Sequence, residues 1–301
     1  MSGEVSVGLE QILGGRSTQE DAAAIWSGTG IRHTHKVDLT LADPMLSHPG
    51  GLHVVLADGM GGHAAGDVAS NLICDVFLST LQRALTGDSE IARAPSDGAQ
   101  SGGTRSGGTQ NSRAPSDRLA DALEEANDAI QIAISEQHGL DGMGATLVGL
   151  EVRHDPKGDG PLLDWVSVGD SPLYLIRNGE LALLNEDHSL APALDQMVVD
   201  GQMTEEDARN DPRRHMLRSA VTGDQIDLVD LSRKPLVLVS GDIVVAASDG
   251  VQTLEDDEIA RISTGYAIDG AEAIASALVR SVTNARDPYQ DNTTIVVLQV
   301  A

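Results

Sequence analysis

Cysteine is nearly missing from this chain of 301 residues: Cys74 is the only one. No intrachain disulfide can therefore form, a cysteine-built zinc site is excluded, and a reducing cytoplasmic setting suits the chain. There is also no run of about 18 or more apolar residues of the kind a membrane helix needs. The opening MSGEVSVGLEQ has neither the basic nor the apolar stretch of an export signal, so neither a membrane span nor a leader is expected. Basic residues are scarce, 20 against 46 acidic, which gives a formal net charge of −26. Such a charge opposes binding to a nucleic-acid backbone and favours solubility.

What remains is ample for a core, with 41% of residues apolar. Most of them fall into short Val, Leu and Ile runs that stop at Gly, Asp or Asn, the pattern of strands. The runs are His53 to Ala57, Ala145 to Val152, Trp165 to Val168, Leu173 to Arg177, Leu236 to Val239, Ile243 to Ala247 and Thr293 to Val300. Asn178-Gly179 and Ser240-Gly241-Asp242 read as hairpin turns, so the strands are expected to be mostly antiparallel. Helical spacing occurs in three places: Val68, Leu72, Val76 and Thr80; Leu119, Leu123, Ala126, Ile130 and Ile134; Ile274, Leu278 and Val282. Asp269 and Glu272 suggest a capping box for the last of these. Strand runs with a few long amphipathic helices predict an α+β chain with helices on the outer faces of a sheet pair. Between the first two helices, about 87–117, the repeats RAPSD and SGGT have no apolar period and read as a flexible low-complexity insert, with docking as a further role. Its glycines do not make a phosphate-binding loop, since no Gly-Lys-Ser/Thr follows.

The chemistry-bearing signal is a repeated acidic punctuation of strands. Asp58-Gly59, Asp170-Ser171 and Asp249-Gly250 each follow an apolar run, and Asp291-Asn292 precedes one. A single Asp-Gly is an ordinary turn, but four on adjacent strands would gather carboxylates on one rim, where mutual repulsion calls for cations. Carboxylate and carbonyl oxygens are what Mg²⁺ and Mn²⁺ prefer. Nearby in sequence, Arg16 lies four residues before Glu20, with Asp21 next, and a guanidinium suits a bidentate grip on phosphate.

In order, RxxxED, DGMGGH, GATL, GDS, SDG and DN make the chain similar to the metal-dependent protein phosphatases of type 2C, and to their bacterial branch in particular. The resemblance runs from Gly14 to Val300. It implies one phosphatase domain over residues 1–301, built as two antiparallel sheets packed as a sandwich and flanked by pairs of helices, with the metal centre at one end. It further implies two Mn²⁺ or Mg²⁺ ions that activate a water against serine or threonine phosphomonoesters on proteins, substrates that a serine/threonine kinase would make. Carried over, Asp58 would bridge both ions, Asp249 and Asp291 would complete one, Glu20 and the Gly59 carbonyl would lie near the other, and Asp170 would serve a third site. Arg16 would hold the substrate phosphate, and Asp21 would support the carboxylates from behind. Residues from about 187–224 correspond to the family's flap, here charged and expected to be mostly helical.

Three positions depart from the family pattern. Met60 stands where many relatives have the histidine proposed as general acid, and His63 lies too far along to inherit that role. Gln19 replaces an Asn, and Pro172 follows GDS where an arginine is frequent. Competing readings are weaker. Gly169-Asp170-Ser171 is like an esterase element but has no late Asp-x-x-His, and Cys74 sits on a helix as a small apolar group. His33 and His35 would share a strand face without a third zinc ligand. A nuclease groove should be basic, and a fold retained for regulation alone would have lost metal carboxylates that are present here.

Overall fold

The computed structural model describes residues 4–27, 31–33, 37–41, 51–61, 65–86 and 114–301. The strands are β1 (Val5–Ile12), β2 (Asp21–Ser27), β3 (Ile31–His33), β4 (Val37–Leu41), β5 (Leu52–Met60), β6 (Gly144–Ala145), β7 (Leu147–Arg153), β8 (Leu162–Val168), β9 (Leu173–Arg177), β10 (Glu180–Leu183), β11 (Asp230–Leu231), β12 (Leu236–Val237), β13 (Ile243–Ala247) and β14 (Thr293–Val300). The helices are α1 (Gly66–Thr86), α2 (Pro115–Glu136), α3 (Ala191–Val199), α4 (Glu205–Arg209), α5 (Asp256–Gly265) and α6 (Ala271–Ala285). One sheet has the order β10-β9-β13-β14-β1-β4; the other runs β11-β8-β7-β5-β2-β3, with β12 on β8 and β6 on β5. The pairings within both sheets are antiparallel.

The strands read as continuous apolar runs because both of their faces are covered. On β2, Ala23 and Ile25 enter the core between the sheets, whereas Ala22, Ala24 and Trp26 face α1 and α2. On β13, Val244 and Ala246 point between the sheets while Ile243, Val245 and Ala247 pack under α5 and α6. The result is four layers, helix, sheet, sheet and helix, as the sequence pattern predicts. Phe77, the only phenylalanine, is fully buried on α1. Its ring lies over Gly149, where an added Cβ would stand 2.2 Å from it. Burying a ring of this size contributes about 1.5–3 kcal/mol.

Several local expectations are corrected. The buried face of α1 centres on Ala69, Ile73, Phe77 and Leu81 with Cys74 beside them. Of the positions in the spacing read from Val68, Leu72 and Val76 pack half-buried at its edge and Thr80 is buried, but Val68 is exposed, so the centre of the face lies one residue further on. The strand read from Ala145 to Val152 breaks at Thr146, between β6 and β7. Ser240-Gly241-Asp242 does not close a hairpin: β12 pairs β8 in one sheet and β13 pairs β9 and β14 in the other. The buried Asp242 carboxylate accepts the Val239 amide at 2.8 Å and two Arg177 nitrogens at 2.8 and 2.6 Å, which turns the chain from sheet to sheet. Asn178-Gly179 does close the β9–β10 hairpin, with φ of 55° and 82° as a two-residue turn of this kind requires. Gly270, not Asp269, precedes α6, and no side chain caps it. The flap is largely irregular around the short helices α3 and α4 rather than mostly helical. Helix α2 starts at Pro115 within the second RAPSD repeat, so the insert is shorter than about 87–117. Residues 87–113, His35, His63 and the side chain of His33 lie outside the described residues.

Candidate metal centre

Each acidic residue is delivered to one end of the sandwich by its own local device. Asp58 lies inside β5, which continues to Met60, and stands opposite Asp21 across the β2–β5 ladder. Thr146 sits in the break between β6 and β7 and straps that position: the Asp58 amide donates to its Oγ1 at 3.0 Å and its own amide donates to the Asp58 carbonyl at 2.9 Å. Asp170 follows Gly169, whose φ of 102° turns the chain off the end of β8. Asp249 opens a 3₁₀ turn directly after β13, and Asp291 precedes β14.

Glycines allow close backbone approaches around the site. A Cβ on Gly59 would stand 2.2 Å from the Gly66 carbonyl oxygen and 2.5 Å from that of Glu20. Gly14, at φ 65°, brings its turn so near Asp291 that a Cβ would meet the Asp291 carbonyl oxygen at 2.4 Å. The Gly15 amide donates to the Gln290 carbonyl at 2.7 Å, and Asn292 accepts the Glu20 amide at 2.8 Å while donating to the Leu13 carbonyl at 2.8 Å. These contacts fix Arg16 beside Asp291, with which its guanidinium forms an ion pair.

The outcome is one cavity of about 1080 Å³ lined by Arg16, Glu20, Asp58, Gly59, Asp170, Asp249 and Asp291, every position singled out from sequence as a site residue. Asp21 lies behind it, where Ser248 and Thr294 donate to its Oδ2 at 2.7 and 2.8 Å. Burial, then the charges of neighbouring carboxylates, raises Asp58 well above the usual carboxylate range and raises Asp249 as well. Burial pushes Asp21 and Asp170 up to about 7, against the two hydroxyl donors on Asp21 and reinforced on Asp170 by Asp249 and Asp187.

Among the described residues, no three candidate ligands already converge on one point. The case for a cation rests instead on donor chemistry and missing partners. The acidic lining offers only hard carboxylate and carbonyl oxygens, and the buried Oδ1 atoms of Asp249 and Asp21 have no hydrogen-bond partner. A divalent cation satisfies such oxygens and offsets their repulsion. The residues present therefore fit Mn²⁺ or Mg²⁺.

The cavity's other wall comes from the flap, whose individual lining residues sequence reading did not single out. His215, Met216, Arg218, Thr222 and Asp224 line it from the flap, with Asp227 just beyond. Bridges from Ser189 to Leu217 and from Ala145 to Val221 lay that segment along the site. No local spacing marks His215, because only the return of the flap brings it there. Arg213 and Arg214, adjacent on the flap, are engaged by Asp211 and Asp195.

Comparison with known proteins agrees with this arrangement. The protein phosphatase 2C family model matches residues 38–285. The chain is 30% identical over 247 residues to the serine/threonine protein phosphatase PstP of Mycobacterium tuberculosis, covering 82% of this chain and 40% of that protein. It is 30% identical over 205 residues to the serine/threonine phosphatase stp of Listeria monocytogenes, covering 67% of each. The Mycobacterium tuberculosis PstP crystal structure superposes with a TM-score of 0.68 at 24% identity over 98% of both chains. A PstP catalytic domain in complex with two manganese ions gives 0.62 at 23% identity over 99% of both. The chain thus spans less than half of the mycobacterial relative's length. A family match over most of the chain, on a sandwich whose end gathers these carboxylates, means that the chain belongs to the protein phosphatase 2C family.

Proposed function

We propose that this chain is a Mn²⁺- or Mg²⁺-dependent serine/threonine protein phosphatase. Its substrates are phosphoproteins made by a serine/threonine kinase, and it works in the cytoplasm. Among the described residues no helix is long and apolar enough to cross a membrane. The observation that carries the reading is that one cavity brings Arg16 together with Asp58, Asp170, Asp249 and Asp291 from both sheets, in a chain of this family.

Asp58, Asp249 and Asp291 would hold the ions, with Glu20 and the Gly59 carbonyl beside one of them and Asp170 at a third position. When bound, the ions supply an activated water and offset the charge of the phosphoryl oxygens. Arg16, now paired with Asp291 and more than half exposed, is free to swing to the phosphate and fix its orientation with paired N–H donors. Thr146, locked to both Asp58 backbone atoms and 2.7 Å from the Ser171 hydroxyl, keeps Asp58 from drifting as charge develops. The flap from about 187–224 forms the wall a protein substrate would meet.

The test is hydrolysis of p-nitrophenyl phosphate and of a phosphothreonine peptide, in EDTA and then in Mn²⁺. Metal-dependent turnover of both is expected. Arg16→Ala should raise KM about tenfold or more, the scale of a lost charge-assisted hydrogen bond. Turnover that is indifferent to EDTA would overturn the reading.

A further inference from the structure

A serine or threonine alkoxide is a strong base and leaves phosphorus slowly unless a proton reaches it as the bond breaks. The residue after Asp58-Gly59 is Met60, which has no proton to give. Arg16 and Arg218 also line the cavity, but a guanidinium does not release its proton. His215 is the single imidazole lining this cavity among the described residues, and imidazole exchanges protons near neutral pH.

Its place is prepared by the backbone. The Leu190 amide donates to the Met216 carbonyl at 3.0 Å, and the Arg218 amide donates to the His188 carbonyl at 2.8 Å. Val221 and Ala145 exchange hydrogen bonds at 2.9 and 3.1 Å further along. His188 is in turn tied to the Asp170 turn, its amide donating to the Gly169 carbonyl at 3.0 Å while its Nδ1 accepts the Gly169 amide at 3.2 Å. The segment bearing His215 is thus anchored to the same strand end that delivers Asp170. The ring itself is exposed to the cavity, and no hydrogen bond or ion pair with the described residues engages it. A proton on the His215 ring would favour the ionised form of Asp249.

We propose that His215 is the proton donor to the departing serine or threonine oxygen, delivered from the flap side of the cavity. The inference rests on the phosphatase reading. Water oxygen bonds to phosphorus while the bond from phosphorus to the side-chain oxygen breaks, and that oxygen keeps the electron pair. The protonated ring gives it one proton, yielding the free hydroxyl. The attacking water retains one proton as hydrogen phosphate, and its other proton returns through solvent to the ring.

The experiment compares His215→Gln with the unaltered protein in Mn²⁺, using a phosphothreonine peptide and p-nitrophenyl phosphate, whose phenolate leaves without help. Affinity for the matching non-hydrolysable phosphonate peptide is read by fluorescence anisotropy. Peptide kcat should fall about 100-fold, the scale of general-acid loss. The fall with p-nitrophenyl phosphate should be below about threefold, and phosphonate affinity should change by less than about twofold. Equal losses on both esters, an unchanged peptide rate, or phosphonate affinity lost in step with turnover would each overturn the assignment. His215→Asn, scored the same way, separates proton donation from a packing defect peculiar to Gln. If the unaltered protein turned over neither ester, the phosphatase reading itself would fall.

Discussion

Asp249 and Asp21 each bury an oxygen with no hydrogen-bond partner, a costly arrangement in a folded protein unless the site has a further occupant. Asp58→Ala and Asp249→Ala should each reduce turnover by about a thousandfold or more while circular dichroism shows an intact fold, because each removes a charge the chemistry needs. Wild-type-like rates in either variant would contradict the two-metal assignment. Away from the site, His53 is fully buried against Trp26, their ring centroids 5.1 Å apart. Burial, helped by the Arg118 charge, lowers it from 6.5 to about 3. Its 3.8 Å approach to Glu151 is therefore not an ion pair at neutral pH. With the folded value below the unfolded one, the unfolded chain binds the extra proton first; the stabilisation is complete above about 6.5 and is lost as pH falls towards about 3. His53→Gln should flatten the dependence of Tm on pH across that window, and an unaltered acid limb would sink this account.

The strand β5 carries Asp58 and Gly59 together, and Gly59 packs against the carbonyls of Glu20, just before β2, and of Gly66, at the start of α1. Gly59→Ala should cost about 3 kcal/mol, the upper end of overpacking penalties, because the atoms in the way are backbone carbonyls that cannot rotate aside. Chemical unfolding measures it, and a cost below about 1 kcal/mol would mean that the site end of β5 is looser than it looks. Elements of this kind were legible in the sequence wherever composition and turn chemistry agreed, as in β9, β13 and β14 and in the Asn178-Gly179 hairpin. The carboxylates were legible because each adjoins a strand run and a turn-forming or small residue. Other features were not. Spacing alone could not distinguish Val68 from Ala69 as the inward position on α1, because either choice repeats every four residues. Ser240-Gly241-Asp242 has hairpin composition, but the partner of β12 is β8, a choice made by packing between sheets. Helix α5 was not anticipated, and His215 and Thr146 reach the site only through the return of the flap and the break after β6.

Across the whole molecule, an excess of 26 negative charges works against compaction, and part of that repulsion is concentrated in one cavity. In the metal-free protein Asp21 and Asp170, raised to about 7, contribute stability that is present below about 3.8 and is lost as pH rises through about 7. A cation binding the ionised rim reverses that loss. The gain in Tm on replacing EDTA with Mn²⁺ should therefore grow from pH 4 to pH 7, a comparison in which the His53 contribution cancels. A gain that stays flat or shrinks with pH would argue against a carboxylate-held ion. The most direct measurement is isothermal titration of Mn²⁺ into the metal-free protein and into Asp249→Asn. Two bound ions in the unaltered protein, with at least one lost in the variant, is the predicted result; no binding, or identical binding by both proteins, would contradict a metal centre at this rim.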